Sequence, residues 1–323
     1  MPTLSLSTPD DYALARDCCS YGYFLLAPNR WNVREQTLTR PLRLHDASVV
    51  VEIAQPKGHG TPLRVRTSRT LAKDEKAEAR AQIGRMLRLD EDAGVIDAFH
   101  ARDPRWKPSG RGRLFRSPTL FEDVIKTVTS CNVTWPGTVQ MNLRLCEVLG
   151  AKEADTRGFP DAAKMARTRP QTLRARCRVG YRDQRLVEMA KRFRASPARG
   201  GLDVEWLEDP RTSDDDVRTT LLDLPGIGPY AAANIMQLMG RYAYVPCDTE
   251  TVRHARLVLG YKGTSAAVTR RVRTHYAPFG PHAFRSYWFE LWDFYESKHG
   301  PAHTWERDST GKMFTAALLN KQV

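Results

Sequence analysis

Residues 213–240 read SDDDVRTTLLDLPGIGPYAAANIMQLMG. Ser213 with Asp216 three residues on is a capping-box pattern, with Asp in place of the usual Glu. The run Asp214–Asp216 suits the positive end of a helix. The spacing predicts a helix to about Leu222, broken by Leu224-Pro225-Gly226-Ile227-Gly228-Pro229. Two glycines allow backbone angles closed to other residues, and Pro229 fits the first position of a second helix. Ala231, Ala232 and Ala233 let that helix approach a neighbour closely. The result is a helix–hairpin–helix over 213–240. Its turn gathers outward N–H groups beside a helix N-terminus, which holds a phosphate without reading base sequence. Ile227, between the glycines, is expected to anchor the turn in the core.

Beyond the hairpin comes Val245-Pro246-Cys247-Asp248-Thr249-Glu250-Thr251-Val252-Arg253, with Asp248 twenty residues after Gly228. An apolar lead-in ends at Pro246, and Asp248 falls where a helix begins. As an ordinary N-cap it satisfies free N–H groups; as a functional carboxylate it gains from the same position, which is expected to lower its pKa and keep it charged at neutral pH.

The surroundings divide by composition. Between Lys164 and Arg199 there are twelve Lys or Arg and two acidic residues, a local excess of +10 around the apolar Val179-Gly180-Tyr181. Such a run is often no more than a solvated face, but with an aromatic in its midst it points to a surface that tracks phosphates. The whole chain carries 50 basic against 37 acidic side chains, a net charge of +13, which implies a polyanionic partner. At 323 residues, 41% hydrophobic and 27% charged, it is too long for one ordinary domain and too apolar to be disordered.

N-terminal to the hairpin, YGYFLL (21–26), ASVVVEIAQ (47–55) and TPLRVRT (61–67) read as strands, the last two joined by a turn at Pro56–Gly60. Helical patterns follow from Asp74 to Leu89 and then, with breaks, from Thr119 to Lys298. The expected fold class is α+β: mainly α with an N-terminal antiparallel β-sheet. The expected division is 1–115 for the sheet and a flanking helix, and 116–323 for the helical region.

Several classes are excluded. The longest charge-free stretches, Thr127–Leu143 and Leu224–Gly240, are broken by Pro, Gly, Asn and Gln, so no membrane partner is expected. The opening MPTLSLSTPDDY has neither a basic nor an apolar signal region, which places the expected location in the cytoplasm beside the nucleoid, or in a nucleus. The six cysteines (18, 19, 131, 146, 177, 247) form no C-x-x-C, and the eight histidines no H-E-x-x-H. Neither zinc nor an iron–sulfur cluster is expected, and the thiols read as reduced and mostly buried.

The hairpin and the Val-Pro-x-Asp step together resemble the helix–hairpin–helix–Gly/Pro-Asp (HhH-GPD) superfamily of DNA glycosylases. The likeness is greatest to the 8-oxoguanine and type II 3-methyladenine branches. Phe121-Glu122-Asp123-Val124 leading to Ser130-Cys131-Asn132 resembles the helix and turn that carry a gap-filling Asn, and Arg157-Gly158-Phe159-Pro160 a turn before the next helix. Val179-Gly180-Tyr181-Arg182 resembles the loop whose Tyr wedges beside the opposite base. The resemblance covers roughly Arg116 to Trp292, while the N-terminal sheet matches only in type, through Tyr21-Gly22-Tyr23-Phe24.

The resemblance implies base-excision repair by base flipping, on double-stranded DNA containing a damaged base, by a monomer. Leu224, Pro225, Gly226, Ile227 and Gly228 would hold the backbone, while Asn132 and Tyr181 fill the vacated space. Arg182 would meet the orphaned base or a phosphate. Asp248 would stabilise the positive charge that grows on the sugar as the N-glycosidic bond breaks. Trp135, Tyr230, Gly22, Phe24 and Trp288 are the candidate base pocket, with Tyr242, Tyr244 and Trp292 as further aromatics. No metal or cofactor is expected beyond a monovalent cation that the hairpin carbonyls could hold by family resemblance. Family members that also cut the strand carry a Lys nucleophile just after the hairpin; Tyr230 stands there, and no Lys lies between Lys191 and Lys262. A monofunctional hydrolase leaving an abasic site is therefore expected, acting on an alkylated purine of the 3-methyladenine type. The alternatives are an oxidised-purine glycosylase, a non-catalytic DNA-binding or lesion-sensing module, and an RNA binder. The tail from Gly300 to Val323 receives no role.

Overall fold

The computed structural model describes residues 1–45 and 47–310, so the part of the tail at 311–323 lies outside the described residues. Five strands, β1 Thr3–Leu6, β2 Arg30–Asn32, β3 Thr37–Leu44, β4 Ala47–Ala54 and β5 Leu63–Thr67, form one antiparallel sheet in the order β1-β5-β4-β3-β2. The expected hairpin is β4–β5, with Val51 opposite Thr67 and Ala54 opposite Arg64. Alternation along β5 (Leu63, Val65 and Thr67 buried, Arg64 and Arg66 exposed) faces one side of the sheet to the core. Short helix α1 Leu14–Cys18 precedes β2, and a two-stranded ribbon, β6 Lys152–Glu153 with β7 Thr156–Arg157, lies further on.

The 21–26 run is not a strand. Gly22–Leu25 form a 3₁₀ turn with all four residues buried. A short run that is apolar throughout lacks the period that tells a strand from a buried turn. Conversely β1, β2 and β3 escape notice because they are short or interrupted by charge.

The helical part comprises α2 Lys73–Met86, α3 Ala93–Arg102, α4 Leu120–Ser130, α5 Trp135–Leu149, α6 Ala162–Ala166, α7 Pro170–Thr172 and α8 Asp183–Arg194. It continues through α9 Val204–Glu208, α10 Asp214–Leu222, α11 Pro229–Leu238, α12 Thr249–Leu257, α13 Ser265–Tyr276 and α14 Ala283–His299. None of the described helices is long and apolar enough to cross a membrane. Two hydrophobic clusters hold these elements. One joins the sheet, α2 and α3 to residues 238–305; the other is built from 120–239. The chain passes to the second after Phe115 and returns after Met239. A single boundary at 115/116 therefore describes order along the chain and not the packing.

Buried ion pairs fix one cluster against the other. On α4, Glu122 accepts two bonds from Arg40 of β3, at 2.8 and 3.2 Å, and lies 2.7 Å from the Lys126 ammonium. Burial by itself would raise the Glu122 pKa, but Arg40 and Lys126 outweigh it and hold it at about 2. Glu122→Ala strands two buried cations and is expected to cost about 3–5 kcal/mol, read as a lower denaturation midpoint at an unchanged slope. In the wild-type chain the depressed pKa gives the sign. The contribution is complete above the ordinary Glu value of about 4.3 and disappears as pH falls through about 2.

Candidate active site

A cavity of about 340 Å³ opens where the two clusters meet. One wall is aromatic. Tyr21 and Trp288 stand 4.5 Å apart between ring centroids, and Trp288 stacks on Trp292 at 5.4 Å. Trp288 donates its indole N–H to the Ser20 carbonyl at 2.8 Å, and Trp292 to that of Cys19 at 3.1 Å, so the turn after α1 orients the rings of α14. Trp135, at the start of α5, closes against Gly22: a Cβ there would lie 2.9 Å from the Trp135 ring. Tyr23, Tyr230, Tyr287 and Tyr295 complete the ring set. Tyr230 holds Asn234 through a 2.9 Å bond to its carbonyl, and Asn234 receives the Tyr21 hydroxyl at 3.2 Å.

Asp248 lines this cavity as the N-cap of α12. Its Oδ1 accepts the Thr251 N–H at 2.8 Å and lies 2.9 Å from the Thr251 hydroxyl. The expectation of a lowered pKa is overturned. Burial is the largest influence and raises the carboxyl above its ordinary value, although the N–H groups of Thr251 and Glu250 and the Thr251 hydroxyl oppose it. A helix terminus offers only partial charges, and here it does not match the loss of water. Glu250 shares the lining. Arg253 grips it through a bond from Nε at 2.8 Å and a second from Nη2, and the Tyr295 hydroxyl donates to it too. No Lys, Arg or His lines the cavity among the described residues.

The hairpin forms as read. The Ser213 hydroxyl accepts the Asp216 N–H at 3.1 Å, Leu224 and Ile227 are buried, and Pro225 and Gly226 are exposed. Gly226 has φ +83°, a conformation that favours glycine, and a Cβ there would stand 2.7 Å from Cδ of Arg185. Gly228 is different: it is extended, and nothing lies within 4 Å of where its Cβ would be.

Neither a protein-family model nor a curated protein sequence matches the chain. Solved structures do. The 3-methyladenine DNA glycosylase from Archaeoglobus fulgidus superimposes with a TM-score of 0.69 at 16% identity, over 90% of this chain and 98% of that one. The apo 8-oxoguanine glycosylase/lyase of Clostridium acetobutylicum gives 0.65 at 18%, over 90% and 96%. The same enzyme with double-stranded DNA containing cytosine opposite 8-oxoguanine gives 0.60 at 18%, over 87% and 93%. The fold is that of the HhH-GPD glycosylases. It includes the N-terminal sheet that the sequence matched only in type.

Within this HhH-GPD fold the expected site residues divide. Gly22, Trp135, Tyr230 and Trp288 do line the cavity with Asp248, but Phe24 does not: it is fully buried in the sheet-side core, one residue beyond the lining Tyr23. Tyr242 and Tyr244 also lie elsewhere, bonded to Glu91 and Asp215 at 2.6 Å each. Asn132, at φ +51°, and Tyr181, 50% exposed, come together with Nδ2 3.4 Å from the phenol oxygen. Arg182 departs from its expected role. It is 5% exposed, and its guanidinium donates to the carbonyls of Val128, Val179, Cys131 and Asn132, bracing the turn that carries Asn132. The end of α4 leaves carbonyls without intrahelical partners, and a buried guanidinium satisfies them.

Arg185 takes the exposed position instead, its guanidinium 5.1 Å from the Tyr181 ring and its stem against Gly226. It lay in the basic run, three residues from Arg182, without a mark to single it out. Tyr287, Glu250 and Thr251 were also missed as site residues, although the stretch Val245–Arg253 contains the last two.

The two glycines give a test. Gly226→Ala is expected to cost about 1–2 kcal/mol in thermal or chemical denaturation, from the left-handed backbone alone. Gly228→Ala is expected to leave the midpoint unchanged, because nothing lies within 4 Å of where its Cβ would be, while weakening binding to a duplex oligonucleotide if the hairpin holds a phosphate as the sequence leads one to expect.

Proposed function

We propose that the chain is a base-excision-repair DNA glycosylase that hydrolyses the N-glycosidic bond of a flipped, alkylated purine and leaves an abasic site. The observation that carries this reading is the cavity. It combines electron-rich ring faces with two carboxylates and a described lining free of cationic side chains. A purine alkylated at N3 or N7 carries positive charge, which such walls attract and which weakens its bond to the sugar. A neutral oxidised purine gains nothing from the charge and depends on directed hydrogen bonds. The similarity in fold to glycosylases of both kinds supports the general reaction, and the electrostatics favour the alkylated substrate.

In this reading the hairpin N–H groups and Arg185 hold the backbone of the damaged strand. Asn132 and Tyr181 enter the space the extruded nucleotide leaves, offsetting an unstacking cost of a few kcal/mol. Asp248, as carboxylate, faces the deoxyribose as positive charge develops at C1′ and orients the attacking water. A non-catalytic binder has no use for a carboxylate whose pKa burial has raised. Tyr230 replaces the amine of strand-cutting relatives; burial pushes its phenol well above the ordinary value, so it remains neutral and does not attack.

Asp248→Asn is expected to retain affinity for lesion duplex and to lose excision by about 10²–10³-fold or more. Release assays on duplexes carrying 3-methyladenine-type or 8-oxoguanine lesions distinguish the substrates, and preferential release of 8-oxoguanine would overturn the alkylpurine reading. Borohydride is expected to trap no covalent adduct with DNA.

The acid limb of kcat/KM is expected to lie above the ordinary aspartate value of about 3.9, because the raised Asp248 must lose its proton to act. Activity therefore falls as pH drops through that higher value. Stability from this group runs the other way: it is complete below the ordinary value and lost as pH rises through the raised one, so Asp248→Asn is expected to melt no lower than wild type at neutral pH.

A further inference from the structure

We propose that the buried hydroxyl pair of Thr251 and Tyr287 positions Asp248 for the reaction, engaging Oδ1 from the protein side and leaving Oδ2 to meet the sugar. This rests on the glycosylase reading above. Thr251 is fully buried and Tyr287 is 2% exposed. Thr251 Oγ1 lies 2.9 Å from Tyr287 Oη, 2.9 Å from Asp248 Oδ1, 2.7 Å from the Pro246 carbonyl and 3.3 Å from the Asp248 N–H. Four neighbours surround one hydroxyl, which has a single hydrogen and two lone pairs.

The lone pairs accept the Tyr287 O–H and the Asp248 N–H. Burial pushes the Tyr287 phenol well up, so Tyr287 keeps a proton to donate at every working pH. The one Thr251 hydrogen then has two acceptors. It turns to Oδ1 when Asp248 is charged and to the Pro246 carbonyl when Asp248 is protonated. The hydroxyl is thus a donor that follows the charge of the carboxylate, and the phenol behind it keeps it from rotating away. An N-cap needs only the backbone N–H of Thr251; the side-chain pair adds an orientation that capping does not require.

The groups whose charge bears on Asp248 come from every packed element. They are Glu250 on α12, Tyr230 on α11, Tyr287 on α14, Tyr21 ahead of the 3₁₀ turn, Cys131 after α4 and Cys247 beside it. As anions, all of these disfavour charge on Asp248. The hydroxyl is one of the few groups favouring it, beside the N–H groups of Thr251 and Glu250.

The test is single-turnover excision of an alkylpurine duplex by the full chain, across pH, with Thr251→Val, Thr251→Ser and Tyr287→Phe. Thr251→Val keeps the shape and removes the hydroxyl. It is expected to lower the excision rate about 10- to 100-fold with lesion-duplex affinity unchanged, and to move the acid limb up by about one pH unit. Tyr287→Phe is expected to shift both in the same direction by less. Thr251→Ser is expected to restore rate and limb together, which a merely structural threonine would not do. Should Thr251→Val unfold, the Tyr287→Phe and Thr251→Ser profiles decide by themselves. A wild-type rate and acid limb in Thr251→Val or Tyr287→Phe, with Asp248→Asn inactive, overturns the positioning role and leaves the glycosylase reading intact. An active Asp248→Asn removes both.

Discussion

A carboxylate has to stand half-buried beside aromatic rings and still carry charge. Burial alone favours its protonated form, and among the described residues that line this cavity no side-chain cation compensates it directly. What opposes burial is a small set of dipoles: two N–H groups of the first turn of α12 and one hydroxyl. Each is fixed by something larger. The helix start follows the apolar lead-in to Pro246, the hydroxyl is held by Tyr287 of α14, and α14 is oriented by indole bonds to the carbonyls of Cys19 and Ser20. The site therefore depends on the sheet-side cluster for its chemistry, although the hairpin belongs to the other.

The junction between clusters is built mostly from arginine. Arg88 donates to the Gln237 carbonyl at 2.5 Å and Arg116 to that of Leu238 at 3.0 Å, so two buried guanidinium groups from the sheet side take the last carbonyls of the hairpin's second helix. Cations suit that end of a helix dipole. Arg40 and Arg85 hold the other end of a helix, α4, through the carboxylates of Glu122 and Asp123 in its first turn. The distance between the hairpin and Asp248 is thus set by polar contacts that demand particular geometry, and less by the oily contacts that would tolerate sliding. Part of the basic composition is consumed here. Arg40 and Arg85 meet carboxylates, Arg88, Arg116 and Arg182 also meet carbonyls inside, and Arg185 is among the basic side chains left exposed.

Much of this was legible in order of appearance. Caps, glycines and prolines marked the hairpin and the start of α12 because those signals are local: a capping hydroxyl three residues from its N–H, or a glycine where φ is positive, shows in a few consecutive letters. For the same reason Asp248, Gly226 and Gly228 could be named in advance. Phe24 and Arg182 were misread because burial is not local. A phenylalanine one residue from a lining tyrosine points away from it in a 3₁₀ turn, and an arginine in a basic run can spend its donors on carbonyls fifty residues away.

The sequence by itself determined the helix–hairpin–helix, the capped carboxylate after it, the missing lysine and the basic face, since each is a property of neighbouring residues or of a sum. Only the tertiary structure decided which rings close the cavity, which arginine stays exposed, and that the carboxylate's pKa goes up and not down. Those outcomes depend on how much water is removed and which distant groups arrive, quantities that exist only once the two clusters have met.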